Sequence, residues 1–578
     1  MDDYKIIVEE PQATVMAHYE VEPMELTALQ TEAQLEAAFI KQLGAQGYDI
    51  TDINDEPGLI ANLRVQLERL NEYRLKDTDW QKLLAQITNN NLGIEEKTEL
   101  IQNEGKLSFT LEDGTSKTFF LIDKTNVHNN KLQVMHQYTP TGGSAKNRYD
   151  VTILVNGLPM VHIELKRRGG SIREAFNQIN RYASESFWAD KRLFEYVQLF
   201  VISCGDQTKY YANTTRDAHA KELQKQEKMV RSQSNSFEFT SYWADQQNHN
   251  IYDLVDFTKT FFAKHTILNI LTKYCVFTVD KNLMVMRPYQ ISATEAILRK
   301  IQWAINKHLQ GTVKAGGYIW HTTGSGKTLT SFKTAQLASK MEQVDKVLFV
   351  VDRKDLDYQT MKEYDNFEKD CANSNSSSAI LRRQLADEDS KIIITTIQKL
   401  SNLLKRKPEI STMSIEERMI EERLQEQLKN NIVMIFDECH RSQFGEMREI
   451  INRKFKKYMI FGFTGTPIFP QNLPAGAAVI KNNKEERKIR FATTAQIFGG
   501  EPDENGKLTK PLHTYNIIDA INDGNVLRFK VDYISTMKAK KDMKDEQVLD
   551  INKDELLKDP RYISNVVRYI LEHFNQKT

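Results

Sequence analysis

The pattern of apolar and polar residues changes near residue 286. Before it, Leu35, Phe39 and Leu43 recur at four-residue spacing within 29–45 and predict an amphipathic helix, while 147–200 alternates strand and helix signals. After it, short apolar runs alternate with helical stretches; the runs are Tyr318-Ile319-Trp320, Val347-Leu348-Phe349-Val350-Val351, Ile392-Ile393-Ile394, Val433-Met434-Ile435-Phe436 and Met459-Ile460-Phe461. Apolar runs of this length fit strands that helices bury on both faces, so we predict an open, mostly parallel α/β sheet.

We expect an α/β chain that divides into four segments: an N-terminal domain over 1–260, a linker over 261–285, a sheet-and-helix lobe over 286–490, and a connector with the start of a second lobe over 491–578. The polar stretch 205–250 is typical of a surface excursion or mobile loop, and we assign it no role. Near the end, an apolar helical stripe from Ile563 to Phe574 has little sequence after it to bury it, so we expect a fragment.

Composition and charge exclude several classes of protein. Of the 578 residues, 40% are hydrophobic and 27% are charged, which excludes a mostly disordered chain, a collagen-like fibre and a disulfide-dense secreted domain. Lys and Arg together number 78, as do Asp and Glu, so the formal net charge is zero. Binding to nucleic acid would therefore depend on local basic patches. The four cysteines are far apart and form no Cys-x-x-Cys pair, which indicates neither a zinc site nor a disulfide framework.

The sequence also favours a cytoplasmic location. Its acidic, polar N-terminus differs from a secretory signal, and no apolar run approaches the roughly 20 residues that span a bilayer. Well-separated cysteines suit a reducing compartment. We therefore expect a cytoplasmic protein that does not associate with a membrane.

A glycine-rich segment follows the first of the apolar runs: His321-Thr322-Thr323-Gly324-Ser325-Gly326-Lys327-Thr328. Glycines let backbone N–H groups curl round phosphate oxygens, and the N-terminus of the next helix adds positive potential. We predict that the residues from Thr323 to Gly326 cradle the phosphates of ATP, that Lys327 reaches the β- and γ-phosphates, and that Thr328 binds Mg²⁺. The strict pattern for such a loop has glycine where His321 stands.

An acidic pair supports this interpretation, because Asp437 and Glu438 directly follow the apolar run that ends at Phe436. ATP hydrolysis needs one carboxylate that holds Mg²⁺, here Asp437, and another that polarises the attacking water, here Glu438. Taken alone, two acidic residues after a strand would also suit a helix cap. Their position about 110 residues after the glycine-rich segment favours ATP hydrolysis.

Two further segments fit a nucleotide site. Gln290, in the segment Arg287-Pro288-Tyr289-Gln290, would read an adenine edge, although an ordinary loop amide would look the same. Thr464 and Thr466, in Thr464-Gly465-Thr466-Pro467, follow another apolar run and would couple nucleotide state to domain movement.

Together these segments resemble the ATP-binding lobe of superfamily 2 helicases and translocases, from about 287 to 467. The resemblance implies two RecA-like lobes that hold ATP between them, with arginine fingers supplied by the second lobe. No segment here matches those fingers, so we expect only the start of the second lobe.

A second set of chemical residues lies upstream, on two strands around an Asn156-Gly157 turn. Glu164 and Lys166 are two residues apart and therefore share one face of a strand. A two-residue loop would place Asp150 on the opposite face, whereas a loop of three residues, or of another odd number, would place it beside Glu164. We predict the odd-length loop; a two-residue loop would need a bulge that restores the register.

Two carboxylates in that arrangement can hold a Mg²⁺ ion that activates water, and Lys166 adds positive charge near the nucleophile. The spacing alone also fits the solvated face of a hairpin. A basic, flexible exit after Lys166 suits a phosphate backbone. Gln178 and Tyr182 are four residues apart on the helix that follows, so they share a face, and Glu36 would approach from the early helix.

These residues resemble the core of PD-(D/E)xK nucleases with its Gln-x-x-x-Tyr element. In combination with the motor, the chain resembles the R subunit of type I restriction enzymes, the type IC group in particular. The likeness rests on 147–166, 173–178, 317–328, 350–356 and 436–445. It implies that 1–260 is the endonuclease domain and 286–490 a RecA-like lobe, and that phosphodiester hydrolysis depends on Asp150, Glu164, Lys166, Gln178 and Tyr182.

The same resemblance implies partners and a reaction. R subunits join methyltransferase and specificity subunits, draw in flanking double-stranded DNA with ATP, and cleave it at a distance from the target. Two other hypotheses stay open. One is a stand-alone repair helicase–nuclease, which a long recognition domain would favour. The other is a nucleotide- and DNA-binding fragment with weak DNA-stimulated ATPase, which would follow from an incomplete second lobe.

Overall fold

In the computed structural model, the described residues are 13–20, 30–89, 91–140, 148–182, 193–214, 236–351, 378–405, 413–437, 439, 450–472, 493–504, 506–526 and 558–573. They belong to two compact units, one up to Val526 and the other from Leu527 onwards. Both predicted chemical sites belong to the first unit.

A six-stranded mixed sheet organises the N-terminal part of the first unit. The strands up to residue 285 are β1 Asp49–Thr51, β2 Lys106–Thr110, β3 Ser116–Phe120, β4 Leu132–Tyr138, β5 Tyr149–Val155, β6 Leu158–Leu165, β7 Leu199–Ser203, β8 Thr208–Ala212, β9 Trp243–Ala244, β10 Asn250–Ile251, β11 Cys275–Phe277 and β12 Leu283–Val285. The sheet order is β1-β4-β5-β6-β7-β8, in which β1–β4 and β6–β7 are parallel pairs and the others antiparallel. The remaining strands form three antiparallel pairs, β2–β3, β9–β10 and β11–β12.

The helices of this part cover the sheet. They are α1 Glu32–Ala45, α2 Glu56–Leu70, α3 Asp77–Ile87, α4 Ile94–Glu99, α5 Ile172–Tyr182, α6 Leu254–Thr260 and α7 Lys264–Lys273, with short 3₁₀ or π turns at Leu100–Glu104, Val127–Asn129, Leu193–Tyr196 and Ser236–Phe239. α1 begins at a capping box in which Thr31 and Gln34 each accept a hydrogen bond from the other's backbone N–H. It buries Leu35, Phe39 and Leu43, as the four-residue spacing predicted.

The segment 261–285, which we expected to be a linker, is folded. It contains α7 and the β11–β12 pair, and Phe261, Phe262, Ile267 and Leu271 are buried in the same core as the six-stranded sheet. Apolar residues at helical spacing supply the burial energy that a linker lacks. Part of the predicted excursion 205–250 is folded as well, in β8, β9 and β10; its charged run lies outside the described residues.

A second six-stranded sheet forms the following lobe, and every described pairing in it is parallel. The described strands of this lobe, two of which lie outside the sheet, are β13 Gly317–His321, β14 Lys346–Val351, β15 Ile392–Thr396, β16 Asn431–Phe436, β17 Lys457–Thr464, β18 Glu501–Pro502, β19 Leu508–Lys510 and β20 His513–Tyr515. The sheet order is β15-β14-β16-β17-β13-β20, and β18–β19 is a separate antiparallel pair. The helices are α8 Pro288–Asn306, α9 Lys327–Ala338, α10 Ser378–Ala386, α11 Ile397–Lys405, α12 Ile415–Gln427, α13 Thr494–Phe498 and α14 Ile517–Asn522, with 3₁₀ turns at Val313–Ala315 and Pro470–Asn472.

Helices bury both faces of this parallel sheet, as the apolar runs predicted. Along β14, Val347 and Phe349 belong to a core shared with α8 and α9, while Leu348 and Val350 belong to a core shared with α10, α11 and α12. Each of the five predicted runs lies in a strand. β20 was not predicted: it comes from the segment that we expected to be a connector, and it completes the edge of the sheet beside β13.

The described part of the second unit, apart from Lys558 and Asp559, is one helix, α15 Pro560–His573. Its apolar stripe is exposed at Ile563, Val567, Ile570 and Leu571. Among the described helices of the whole chain, none combines the length and the apolar character needed to cross a lipid bilayer.

Candidate functional site

The register of the β5–β6 hairpin decides whether the predicted nuclease residues meet. Val155 pairs with Leu158 across a two-residue Asn156-Gly157 loop, so the predicted odd-length loop is wrong. Both loop residues have positive φ, 51° and 83°, as the tightest hairpin turns require. The Asn156 side chain is buried and bonds three backbone or side-chain groups of the preceding segment, which favours this short loop.

A bulge in β6 restores the register. Leu154 pairs with Pro159, but Ile153 pairs with Val161, so Met160 is the extra residue. Beyond the bulge Val151 pairs with Ile163, and continuing this register places Asp150 directly across from Glu164. Proline cannot donate a hydrogen bond to the ladder, so Pro159 was the available sequence signal for a bulge.

Asp150 and Glu164 form a buried pair of carboxyl groups. Glu164 is 0% exposed and Asp150 6%, and the backbone N–H of Leu165 donates to Asp150 Oδ2 at 2.9 Å. Burial, followed by the charge of Glu164, raises the pKa of Asp150 to about 7. Burial also raises the pKa of Glu164 to about 8, although Lys166 opposes this shift.

The pair fits a divalent cation. Glu164 Oε2 is buried and has no hydrogen-bond partner among the described residues; Nε2 of the neutral His162 ring lies 3.6 Å away. The charge of Lys166 alone compensates only in part for two adjacent carboxyl groups with raised pKa values and an unsatisfied oxygen. Carboxylate oxygens are the ligands that Mg²⁺ prefers in proteins.

Lys166 joins the carboxyl pair, as predicted. Its Nζ lies 3.2 Å from Glu164 Oε1 and 3.4 Å from Glu32 Oε1, and donates to the Leu165 carbonyl at 2.9 Å. Burial lowers the pKa of Lys166, but the charges of Glu164, Glu32 and Asp150 raise it by more, so the ammonium stays protonated. Glu32, at the start of α1, was missed by the sequence analysis because α1 is 134 residues away in the chain.

Gln178 and Tyr182 lie beside the pair on α5. Gln178 donates to the Tyr182 hydroxyl at 2.5 Å, and that hydroxyl donates to the Arg148 carbonyl at 3.0 Å, just before β5. Burial and then the charge of Glu164 raise the pKa of Tyr182. Glu36 accepts from Gln137 Nε2 at 2.5–2.6 Å, so its approach to the carboxyl pair stays a prediction.

His162, also missed by the sequence analysis, packs under the carboxyl pair. It is 0% exposed, its Nδ1 lies 3.1 Å from Thr152 Oγ1, and burial lowers its pKa to about 4. Because this ring is neutral and buried, it adds no charge beside the carboxylates and keeps the dielectric constant around them low.

The glycine-rich segment forms the predicted strand–loop–helix. β13 ends at His321 and α9 begins at Lys327, with Gly324 and Gly326 at φ of 79° and 74°. Ser325 Oγ donates to the Thr322 carbonyl at 2.7 Å, which tightens the loop, and Lys327 Nζ lies 3.4 Å from the same carbonyl. Thr323, Gly324 and Gly326 are exposed, and Thr328 is half-buried in the first turn of α9. The loop therefore presents backbone to solvent at the N-terminus of a helix.

Gln290 supports this loop. Its Nε2 donates to the Ser325 carbonyl at 3.0 Å, and its Oε1 accepts from the Arg287 backbone N–H at 2.9 Å. A Cβ at Gly326 would come within 2.6 Å of Gln290 Nε2, so the amide lies directly against the loop, while the φ of 74° favours glycine there. The role of Gln290 at an adenine edge stays a prediction.

The other predicted motor residues lie at the end of β17, which is next to β13, and after β16, which is one strand further away. Thr464 ends β17 and pairs with Trp320 of β13; its Oγ1 accepts from the Thr466 backbone N–H at 3.0 Å. Asp437 follows β16, which is the next strand in the sheet. Because the strands are parallel, their carboxyl ends meet at one edge, where nucleotides bind in such sheets. Glu438 lies outside the described residues.

Two family models match the chain. One, described as SWI2/SNF2 ATPase, matches residues 289–562, and the other, described as Type I restriction enzyme R protein N terminus, matches residues 29–219. The first match covers the part of the chain with the glycine-rich segment, and the second covers the part with Asp150, Glu164 and Lys166.

Curated relatives agree with the family models. The Type I restriction enzyme SsaAORF53P endonuclease subunit of Staphylococcus saprophyticus is 37% identical over 557 residues, which are 95% of this chain and 52% of that protein. The Type I restriction enzyme EcoprrI endonuclease subunit of Escherichia coli is 42% identical over 324 residues, 56% of this chain and 98% of that protein. The chain spans about half the length of the first of these relatives.

Solved structures show weaker likeness. A nuclease-deletion mutant of the Type ISP restriction-modification enzyme LlaGI, in complex with a DNA substrate mimic, matches with 19% identity and a TM-score of 0.25, over 42% of this chain and 20% of that one. The Sulfolobus solfataricus SWI2/SNF2 ATPase core in complex with dsDNA matches with 19% identity and a TM-score of 0.21, over 34% of each chain. Both TM-scores are low, so we base nothing on them.

Proposed function

The chain belongs to the family of type I restriction enzyme endonuclease subunits, and on that premise we propose that it couples ATP-driven movement along double-stranded DNA to Mg²⁺-dependent cleavage of that DNA away from a recognition site. The convergence of Asp150, Glu164 and Lys166 is the observation that carries the nuclease half of the proposal. The partners proposed by family membership are methyltransferase and specificity subunits, and double-stranded DNA.

In the nuclease site, Asp150 and Glu164 would hold Mg²⁺ through oxygens on facing strands. When bound, the ion would supply an activated water and offset negative charge on the phosphoryl oxygens. Lys166 stays protonated beside Glu164 and attracts the scissile phosphate. Tyr182, held by Gln178 and by the Arg148 carbonyl, fixes α5 against the start of β5 and so keeps Asp150 in register.

In the motor site, ATP would be bound by the exposed loop from Thr323 to Gly326, with Lys327 on the terminal phosphates. Thr328 and Asp437 would share the Mg²⁺ of the bound nucleotide, and Glu438 would orient the attacking water. Thr464 and Thr466 flank Gly465, which lies against the start of the loop. A Cβ at Gly465 would be 3.3 Å from the His321 carbonyl oxygen. This position supports a role for the two threonines in coupling the bound nucleotide to movement.

We also propose a cytoplasmic location, where ATP and DNA are both present. Cys204, Cys275 and Cys439 are buried free thiols, which suits a reducing compartment.

The test is cleavage of covalently closed circular DNA that carries a target site, by the protein assembled with methyltransferase and specificity subunits, in the presence of Mg²⁺ and ATP. Asp150→Ala removes one metal ligand, so we expect DNA cutting to fall at least about 100-fold while ATP hydrolysis continues. Glu174→Gln, an exposed carboxyl on α5, is the control and should cut as the wild type does. Cutting by Asp150→Ala at the wild-type rate would refute the nuclease assignment.

A further inference from the structure

The short strand β20 (His513–Tyr515) pairs with β13 and contacts, at Tyr515, the glycine-rich loop from Thr322 to Thr328, here called the P-loop. Its Tyr515 carbonyl accepts from the Thr322 backbone N–H at 2.9 Å. The Tyr515 ring stacks on Tyr289 with centroids 3.6 Å apart, and the Tyr289 hydroxyl donates to the Ser325 carbonyl at 2.9 Å. A change in the shape of the P-loop therefore acts on β20 through two separate contacts.

The other side of β20 contacts the N-terminal domain. The loop between β9 and β10, residues 245–249, approaches β20 closely: Asn248 Nδ2 donates to the Thr514 carbonyl at 2.9 Å. Gln246 is fixed within its own domain, because its backbone N–H donates to the Met16 carbonyl at 2.8 Å and its Nε2 to the Val15 carbonyl at 2.9 Å.

A buried pair of histidines joins the two sides. His321 Nε2 lies 3.0 Å from His513 Nδ1, and His513 Nε2 lies 3.1 Å from the Gln246 carbonyl oxygen. A carbonyl only accepts, so His513 carries its proton on Nε2; as a neutral ring it then accepts at Nδ1, and His321 donates from Nε2. Burial lowers the pKa of both rings, that of His513 to about 4, which keeps them neutral.

The hydrogen bonds of the two histidines donate in one direction, from His321 to His513 and from His513 to the Gln246 carbonyl. With its proton on Nε2, His321 has a bare Nδ1, and that buried atom has no hydrogen-bond partner among the described residues. His321 is also the residue that stands where the strict phosphate-loop pattern has glycine. A glycine there would have no ring to bond His513, so the side-chain link between position 321 and His513 depends on this departure from the pattern.

The contact continues towards the carboxyl pair. Ser241, just before β9, exchanges two backbone hydrogen bonds of 2.9 Å with Tyr210 of β8. β8 pairs with β7, and Ile202 of β7 pairs with Glu164. A continuous set of backbone pairings thus connects the segment that His513 contacts to the strand of the metal-binding carboxylate.

We propose that β20 transmits nucleotide occupancy of the P-loop to the nuclease domain, with His513 as the positioning residue that joins them. The proposal rests on the proposed function, since it takes nucleotide to bind the P-loop. Coupling between distant sites needs an element that both sites contact and that has a defined geometry. β20 is such an element, because it bonds the P-loop on one side and the 245–249 loop on the other.

The experiment is hydrogen–deuterium exchange of the purified chain with and without saturating Mg²⁺–ADP, with ADP affinity measured separately by calorimetry. In the wild type, we expect ADP to change the exchange rates of amides in 245–249. His513→Phe keeps a ring and removes both nitrogens, so the ADP-induced change should fall by at least about 5-fold while ADP affinity changes little. His513→Gln offers one donor and one acceptor and should recover part of the response.

Two controls separate the possible outcomes. Asn250→Ala removes a hydrogen bond of 2.8 Å to Asp523 between the same two parts of the molecule without changing the contacts of His513, and should keep the response. Lys327→Ala should lose ADP binding and the response together.

No ADP binding by the wild type would contradict the proposed function. ADP binding without a change in 245–249, or an unchanged response in His513→Phe, would overturn the role of β20. The wild-type comparison stands whether or not either variant folds.

Discussion

At the residue scale, the carboxyl pair of the N-terminal domain is held in an unfavourable state. Asp150 and Glu164 are buried side by side, and the single positive charge of Lys166 beside Glu164 cannot neutralise both. A group whose pKa is raised on folding stabilises the protein in its protonated form, and this contribution is lost as the pH rises through the folded-state value. For this pair the loss falls between about pH 5 and 9, from pKa values of about 7 and about 8.

This predicts a pH-dependent effect of Glu164→Gln on stability. Without divalent ions, the substitution should stabilise the chain relative to the wild type at pH 8–9 and much less at pH 5, because glutamine carries no charge to bury. Thermal unfolding in EDTA across this range measures the difference, and Glu174→Gln should show none. Added Mg²⁺ should raise the melting temperature of the wild type and of Glu174→Gln, but not that of Glu164→Gln, and more at pH 8 than at pH 6. A difference in melting temperature between Glu164→Gln and the wild type that does not change with pH would contradict the raised pKa of Glu164.

The residues of this site could be predicted from sequence, but their geometry could be predicted only in part. Asp150, Glu164 and Lys166 come together as expected. The loop length was wrong, because a turn and a bulge have compensating effects on register and the buried contacts of Asn156 cannot be seen in the sequence. Glu32 and His162 were missed because their proximity arises only from the tertiary fold.

At the scale of elements, the β5–β6 turn positions the nuclease site. Gly157 has a φ of 83°, and a Cβ there would come within 2.7 Å of the Leu63 Cα in α2. The turn therefore needs glycine both for its backbone conformation and for its contact with the helix. The tight turn fixes where β6 begins, and the Met160 bulge then aligns Glu164 with Asp150.

Gly157→Ala should consequently destabilise the chain by about 2–4 kcal/mol, since it combines backbone strain with a backbone clash. Gly114→Ala is a matched control: Gly114 has a φ of 85° and no atom within 4 Å of an added Cβ, so only the backbone term of about 1 kcal/mol applies. Denaturant unfolding of both variants provides the comparison. Equal destabilisation would show that the contact with α2 is unimportant.

Elements with long apolar runs could be predicted from sequence, and short ones could not. The five runs of the parallel sheet are strands because helices bury them from both sides. β20 has only His513, Thr514 and Tyr515, and its strand character comes from pairing with β13. The segment 261–285 was wrongly expected to be a linker, because its phenylalanines reveal a core only when the sheet beside them is known.

At the scale of the whole molecule, a nuclease-like site and a nucleotide site lie in one compact unit that extends to Val526. The chain has no net charge, so binding to DNA cannot depend on its overall field and must use local groups around each site. Family membership could be predicted from the two motif sets in order, because each set has chemically constrained residues at fixed spacing. The DNA target could not, since the chemistry of both predicted sites acts on phosphates, which are the same in every base sequence.

The central claim is that one polypeptide holds two sites, of which the motor acts first. A matched pair of lysine substitutions tests it most directly, with ATP hydrolysis and cleavage of circular target DNA measured in the same reaction of the assembled complex. Lys166→Ala should lose cleavage and keep ATP hydrolysis, because it affects only the carboxyl pair. Lys327→Ala should lose both, because cleavage follows ATP-driven movement. Cleavage by Lys327→Ala at the wild-type rate, or loss of ATP hydrolysis in Lys166→Ala, would contradict the claim.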